Sequence, residues 1–362
     1  MFQQRREHLV SHMKQQQIDG AILVPGANMY YFTGLQLKQS ERLTFAIITA
    51  NNQLYFLVPQ VEVNKVDTSN GGTIFYYSDE EGPTQTLEQL TRELGKLQTI
   101  GVEYDSMRVK EQRAIEKLTY QSICDIGASI RELRMAKDPH EIQLMRQAVK
   151  IVEESLEAIL PTIQVGVSEM DVAAQLEYEM RRRGSEGTPF GTIVASGYRG
   201  ALPHGRASTK KIEQGELIVL DFGSIYQGYV ADITRTVALG DISPTLKNMY
   251  QLVKQANEAA IAAIKPGMTA HHIDMIARDV INNAGYGQYF THRLGHGIGL
   301  SAHEEPYLMQ QNELVLTAGM TFTVEPGIYV KDIGGVRIED NLLVTEDGYE
   351  NLMTYSKELI IL

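Results

Sequence analysis

Four acidic residues in this chain have types and spacing suited to chemistry, Asp221, Asp232, Glu325 and Glu339, with three histidines, His292, His296 and His303, between the two pairs. Two aspartates lie in "DFGSIYQGYVADITRT" (221–236), which otherwise reads as a buried β-hairpin. Two glutamates lie in "MTFTVEPGIYV" and "GGVRIEDNLLVT", which read as a second hairpin around Asp332-Ile333-Gly334. Carboxylates are rarely buried without a partner. In the first hairpin, strand parity puts Asp221 and Asp232 on one face. They are directly opposed if the loop is Tyr226-Gln227, and one diagonal step apart if it is Gln227-Gly228. Opposed residues have Cβ atoms about 5 Å apart, where two like charges are unfavourable unless a cation lies between them.

Between the second pair and the rest of the chain lies "THRLGHGIGLSAHEEP", with His292, His296 and His303. Its glycines at 295, 297 and 299 permit close backbone approach to a ligand or a neighbouring strand. His204 lies in "LPHGR", shortly before Asp221. Four carboxylates and one imidazole suit a pair of divalent metal ions, and an oxygen-rich set favours manganese or cobalt, with zinc also within its range. Two such ions about 3.5–4 Å apart can share a water, acidify it and clamp a carbonyl. The other histidines would then donate protons and stabilise an oxyanion. A single aspartate after a strand is ordinarily a turn or cap residue, but that reading does not explain four acidic residues at symmetric places. Alternation through Val336, Ile338 and Asp340 puts Arg337 on the same face as Glu339, as a residue backing the cluster. His271 and His272 fall in a helix and read as surface or packing residues.

The elements that must position these groups form two parts. In the first, "AILVP", "TFAIITA", "QLYFLV", "TIFYYS" and "TIGVEY" read as strands. "RREHLVSHMKQQQ" and "TLEQLTRELGKL" read as helices, and the alternation predicts an α/β domain. The texture changes at "RELRMAKDPHEIQLMRQA". There Asp138 can cap a helix with Pro139 in its first turn, followed by apolar residues at 142, 145, 149, 152, 156 and 159. The second part repeats itself. "QVGVSEMDVAAQLEYEMRRRG" (164–184) aligns with "KPGMTAHHIDMIARDVINNAG" (265–285), matching Gly166 to Gly267, Ser168 to Thr269 and Gly184 to Gly285. Each copy reads as turn glycine, Ser/Thr cap, helix and closing glycine, with a long helix before and strands after. The expectation is two similar halves of helices and antiparallel strands with a cleft between them.

The bulk numbers bound the partners. A formal net charge of −12 over 362 residues argues against a nucleic-acid or anionic-membrane partner. Cys124 is the only cysteine, so no internal disulfide forms, and it reads as a small core residue. The opening "MFQQRREHLVSHMKQQQ" has no apolar targeting core, and no run of about eighteen apolar residues occurs. The expectation is a cytoplasmic protein without a membrane span.

On "PHG", "DFG…ADITRT", "HRLGHGIGLSAHE", "VEPGIY" and "GGVRIED", the chain resembles the pita-bread metallopeptidases. These include prolidase (Xaa-Pro dipeptidase), Xaa-Pro aminopeptidase and methionine aminopeptidase. The likeness covers residues 138–362, and more loosely 1–131 through "NMYYFTG". It implies a mixed α/β (α+β) fold: an N-terminal α/β domain like that of creatinase over 1–131, a linker over 132–137, and a catalytic pita-bread domain of two pseudo-symmetric halves over 138–362. It further implies that Asp221 chelates one metal, that His296 and Glu325 bind the other, and that Asp232 and Glu339 bridge both. Glu325 would also move protons. His204, His292 and His303 would surround the substrate's carbonyl and its carboxylate or proline ring. Arg337 would hold a bridging carboxylate, with Tyr329 donating a hydrogen bond nearby.

The implied activity is hydrolysis of the bond before proline in dipeptides or short peptides, with manganese as the favoured ion and a homodimer as the working form. An aminopeptidase acting on longer peptides is the alternative within the family. Creatinase keeps the fold without the metal ligands, so a binding protein without chemistry is the alternative outside it. All five ligand positions are filled here. A large N-terminal part also argues against the methionine aminopeptidase branch.

Overall fold

The computed structural model describes the whole chain, Met1–Leu362, as two compact units, Met1–Arg134 and Met135–Leu362. In the first unit, the strands are β1 (Gly20–Leu23), β2 (Phe45–Thr49), β3 (Leu54–Pro59), β4 (Thr73–Tyr77), β5 (Thr99–Val102) and β6 (Ser122–Asp125). They form a sheet in the order β4-β3-β2-β1-β5-β6. Strand β2 runs antiparallel to both neighbours, and the β1–β5, β5–β6 and β3–β4 pairs are parallel. The continuous apolar runs of β1, β2 and β3 are buried along their whole length, as expected of strands covered on both faces. The edge strands β4 and β6 are the exposed ones. Helices α1 (Phe2–Gln15), α2 (Ala27–Thr33), α3 (Thr84–Leu94), α4 (Val109–Ile115) and α5 (Gly127–Met135) accompany the sheet. Residues 132–135, within the stretch expected as a linker, are therefore the last turn of α5. Cys124 is half-buried on β6, its thiol directed at the Ile100 carbonyl.

The second unit begins with α6 (Pro139–Ile159). Asp138 accepts from the amides of His140 and Glu141, while the Glu141 carboxylate accepts from the Asp138 amide. This reciprocal capping satisfies N–H groups that a helix start leaves unpaired. The duplication appears in three dimensions. Ser168 caps α7 (Glu169–Arg182) by accepting from Asp171 N, and Thr269 caps α9 (Ala270–Asn283) by accepting from His272 N. Gly166 and Gly267 both adopt positive φ, 88° and 89°. The amide of Gly166 donates to Ile212 O, and that of Gly267 donates to Leu316 O, each at 2.9 Å. The first helix of the second copy is α8 (Pro244–Ala262).

The strands of this unit are β7 (Ile193–Ser196), β8 (Leu217–Tyr226), β9 (Tyr229–Ala238), β10 (Gly295–Gly297), β11 (Glu304–Leu308), β12 (Thr321–Val324), β13 (Gly327–Val330), β14 (Gly334–Arg337), β15 (Asp340–Val344) and β16 (Tyr349–Asn351). One sheet runs β7-β8-β9, another runs β11-β10-β12-β15-β16, and β13 pairs with β14. The hairpin loop between β8 and β9 is Gln227-Gly228, both at positive φ as a tight hairpin turn requires. Asp221 thus pairs with Thr234 and Asp232 with Gly223, so the two aspartates share a face one diagonal step apart. The second hairpin is less regular. Its ladder breaks between Val324↔Asp340 and Gly327↔Arg337. Glu325 and Glu339 face each other in that break, where the register carries straight through. The apolar core joins Tyr250, Val253 and Ala260 of α8 to Phe322, Val324, Ile338 and Leu342 of the strands. No helix is long and apolar enough to cross a membrane.

Because the two helix starts are built alike, Ser168→Ala and Thr269→Ala each lose one capping acceptor. Each is expected to cost about 1 kcal/mol, read as a comparable shift in the denaturant midpoint of the transition that unfolds residues 135–362. A cost from one variant alone would show that the two starts are not equivalent.

Candidate metal centre

Asp221 follows four strand residues from Leu217, and Glu325 follows four strand residues from Thr321. The duplicated halves therefore deliver one carboxylate each from matching positions, and β9 and the β14–β15 junction deliver Asp232 and Glu339. All four line a cavity of about 510 Å³ together with His204, His292, His296, His303 and Arg337. Every residue proposed from the sequence for the site lies on its wall except Tyr329, which stands behind it, bonded to His292 and Arg337. Phe190, Ile193 and Pro203 supply an apolar side, and Arg206 and Arg293 also line it. Its volume is in the range that encloses a small ligand.

The floor is closely packed. Asp232, His296 and Glu339 bring ligand atoms within 4.8 Å of one another, and all three are buried. His296 Nε2 lies 3.2 Å from Glu325 Oε1 and 4.0 Å from Asp232 Oδ2. The other ring nitrogen, Nδ1, lies 3.1 Å from the Gly297 carbonyl, which only accepts, so Nδ1 carries a proton. Nε2 therefore faces carboxylate oxygens and needs positive charge beside it, either a second proton or a metal ion. A ring nitrogen donating to a backbone carbonyl while the other faces the ion is the usual arrangement of a ligating histidine. Asp232 Oδ1 and Glu339 Oε1 are buried without any hydrogen-bond partner. Orphaned carboxylate oxygens beside an imidazole lone pair fit a divalent cation, so the donor set present suits the metal that the residues implied.

The remaining carboxylate contacts are specific. Thr234 Oγ1 donates to Glu339 Oε2 at 2.7 Å, and Thr323 Oγ1 donates to Glu325 Oε1 at 3.0 Å. Asn341 brackets Asp232, accepting from its amide at 3.1 Å and donating to its carbonyl at 2.7 Å. Thr234, Thr323 and Asn341 were not singled out from the sequence, yet each lies two residues from an acidic residue of the cluster and so shares its strand face. Arg337 departs from expectation. Its guanidinium donates to Asp221 Oδ2, to Tyr329 OH at 2.7 Å and to Thr234 Oγ1 at 3.2 Å. It thus holds Asp221 and not one of the two bridging candidates. Packing explains this, because the Thr236 hydroxyl bonds the Arg337 amide and carbonyl, and the long side chain reaches back to Thr234 and Asp221. Glycine is required at 295 and 297, where a Cβ would collide with the Thr323 and Glu305 carbonyls.

The electrostatics follow from burial. Desolvation raises the Asp232 and Glu339 carboxyls well above the ordinary range, and neighbouring carboxylates push them further. Asp221 is raised by burial, with Arg337 opposing. Burial also works against ionised Glu325, but the hydrogen bond and charge of His296 outweigh it and bring the carboxyl to about 2. His303 is lowered to about 4 by burial and then by His296, and burial lowers His292 as well, so both rings are neutral near pH 7. His292 Nδ1 faces the Arg293 carbonyl at 2.7 Å, so its Nε2 accepts from Tyr329 OH at 2.9 Å. His204 lies on the exposed rim. His271 accepts from the Gln311 amide at the surface and takes no part in the site.

A carboxyl whose folded pKa is raised stabilises the fold below its unfolded value and loses that contribution as pH rises through the folded one. For Asp232 and Glu339, the metal-free protein should therefore lose stability as pH climbs above the ordinary carboxylate range. Divalent manganese entering the cluster should displace their protons. Calorimetric titration of metal-stripped protein in two buffers of different ionisation enthalpy should then give different observed heats. Equal heats would mean that these carboxyls hold no proton to release.

The comparisons with known proteins agree with this geometry. Residues 143–346 match the model of Metallopeptidase family M24, and residues 5–136 match the Creatinase/Prolidase N-terminal domain. The Xaa-Pro dipeptidase of Pyrococcus furiosus is 37% identical over 359 residues, covering 99% of this chain and 100% of that one. The crystal structure of a dipeptidase from Pyrococcus horikoshii OT3 superposes with a TM-score of 0.93 at 41% identity, covering 99% of this chain and 100% of that one. That of the X-Pro aminopeptidase from Thermotoga maritima superposes at 0.88 and 33% identity, covering 99% of both chains. The fold is thus a creatinase-like N-terminal domain followed by a pita-bread domain. With a family model spanning more than half its length and full-length relatives above 30% identity, the chain belongs to metallopeptidase family M24.

Proposed function

We propose that this chain is a metal-dependent Xaa-Pro dipeptidase, in which Asp221, Asp232, His296, Glu325 and Glu339 hold two divalent ions. The observation that carries the reading is the pair of orphaned buried oxygens, Asp232 Oδ1 and Glu339 Oε1, beside His296 at the floor of the cavity. Ions bound there would supply Lewis acidity, polarising a peptide carbonyl and acidifying water. The protein's own groups do the rest. Glu325, ionised at neutral pH, can accept a proton from the attacking water. His303, neutral, offers a hydrogen bond to the carbonyl or to the leaving side of the peptide, while His292, fixed by the Arg293 carbonyl and the Tyr329 hydroxyl, presents its ring to the substrate as part of the wall. Arg337 anchors Asp221 and orients the Tyr329 hydroxyl. His204 on the rim is suited to a substrate carboxylate or the proline ring.

Manganese is the ion favoured by an oxygen-rich set with a single nitrogen. A cytoplasmic setting accords with the single cysteine, Cys124, and a homodimer is the assembly that the family likeness suggests. A similar fold in an X-Pro aminopeptidase supports the second reading, an enzyme acting on longer peptides. With manganese present, Ala-Pro should be hydrolysed faster than Ala-Pro-Ala. Cleavage of the tripeptide alone would favour the aminopeptidase, and turnover of neither would sink both readings. His296→Ala should lose bound metal together with activity, by more than the 10- to 100-fold typical of removing a group that merely supports a ligand. Full activity in that variant would overturn the ligand assignment.

A further inference from the structure

The two glutamates lie where the second hairpin comes apart. At that point neither backbone amide stays within the hairpin. Glu325 N donates to Leu294 O at 2.8 Å, and Glu339 N donates to Thr234 O at 3.1 Å. The carbonyls of the same two peptide units belong to Val324 and Ile338. Both accept from one side chain, Asn257 Nδ2 of α8, at 2.9 and 3.3 Å. Asn257 is wholly buried. A single amide group therefore pins the peptide plane that leads into each glutamate, while the opposite edge of each plane is fixed by a neighbouring strand.

Asn257 is itself held in one orientation. Its Oδ1 accepts from Lys357 Nζ at 3.0 Å. An ammonium only donates, so the amide oxygen must face Lys357 and the NH₂ must face the carbonyls. Lys357 also donates to Asp340 Oδ2 at 3.0 Å, and Asp340 Oδ1 accepts from Arg235 Nη2 at 2.7 Å. Arg235 Nη1 returns to the Glu339 carbonyl at 2.5 Å, so the peptide on the far side of Glu339 is held too. Arg235 further binds the Tyr355 and Ser356 carbonyls, and Ala238 N donates to Ile360 O, which ties the C-terminal segment to β9. None of these side chains lines the cavity.

We infer that Asn257 and Lys357 are positioning residues for the metal centre, setting the separation of the Glu325 and Glu339 carboxylates from behind, so that the C-terminal segment is part of the apparatus that holds the ions. This rests on the reading of those glutamates as ligands. Their effect is on metal affinity and not on the peptide, because they reach the site only through the glutamate backbones.

The test uses the full-length chain and Mn²⁺ as probe, with dissociation constants from competition against a chelator. Lys357→Met and Asn257→Leu should each weaken Mn²⁺ binding about 10- to 100-fold. They should also raise the Mn²⁺ needed for half-maximal turnover of Ala-Pro while leaving the KM for Ala-Pro at saturating Mn²⁺ unchanged. Melting of the metal-stripped Lys357→Met protein is measured alongside, because the substitution also takes a partner from Asp340 and Asn257, and Mn²⁺ affinity is compared well below that melt. If Asn257→Leu does not fold, Lys357→Met decides alone. Unchanged Mn²⁺ affinity in Lys357→Met, measured where the stripped variant is fully folded, overturns the inference. His296→Ala separates the two levels. If it abolishes Mn²⁺ binding while Lys357→Met binds like the parent, only the positioning role fails. If His296→Ala binds Mn²⁺ normally, the ligand reading has failed.

Discussion

Charge balance in one small cavity is the constraint on which the rest of this structure depends. Asp221, Asp232, Glu325 and Glu339 are drawn together at its floor, and the only permanent cation bonded to any of their carboxylates is Arg337. A guanidinium cannot give up its proton, so Asp221 is compensated at every pH. Glu325 is compensated by His296, which keeps it ionised. Asp232 and Glu339 have no such partner, and their raised pKa values record the deficit. A site left short of positive charge, with its ligand oxygens already desolvated and unbonded, has much of the cost of metal binding met in the fold itself.

Holding such a site open requires rigidity behind it, because four like groups would otherwise move apart. The framework supplies it at several depths. Thr234, Thr323 and Asn341 fix side chains and backbone within the strands. Arg337 and Tyr329 link Asp221 to His292 across the cavity. Asp274 and Arg278 of α9 hold the backbone of the histidine segment, through Leu294 N and the His292 carbonyl. Behind the glutamates, Asn257, Lys357, Asp340 and Arg235 form a buried polar network in which the amide and both charge pairs are used. Such networks rigidify a site when their members are satisfied.

The duplication explains why the two halves answer one another while differing in detail. Both copies share the turn glycine, the capped helix and a strand with a carboxylate four residues after its start. The first copy then closes as a continuous hairpin, with its aspartates staggered by one diagonal step. The second opens at Glu325-Pro326, where proline has no amide to donate and the ladder divides. The glutamates face each other in that gap, and the freed peptide groups find partners elsewhere.

The sequence by itself determined the elements and the chemistry of the site. Continuous apolar strands, Ser/Thr caps, turn glycines and the period-two face shared by Asp221 and Asp232 are local consequences of side-chain type and spacing. They sufficed to name the four carboxylates of the cluster and the histidines around it, and the likeness to a known family singled out His296 among these. Tertiary structure alone decided what depends on groups far apart in the chain. Hairpin parity left two registers for the aspartates, and only the folded turn selected the staggered one. Arg337 has the face expected of it, but its partner depended on how β14 lies against β8. Arg235, Asn257 and Lys357 carry no local signal, because an arginine in a strand, an asparagine in a helix and a lysine near a terminus are common everywhere. Their meaning comes from contacts that span about a hundred residues of sequence, and only packing brings those residues to the backs of the glutamates.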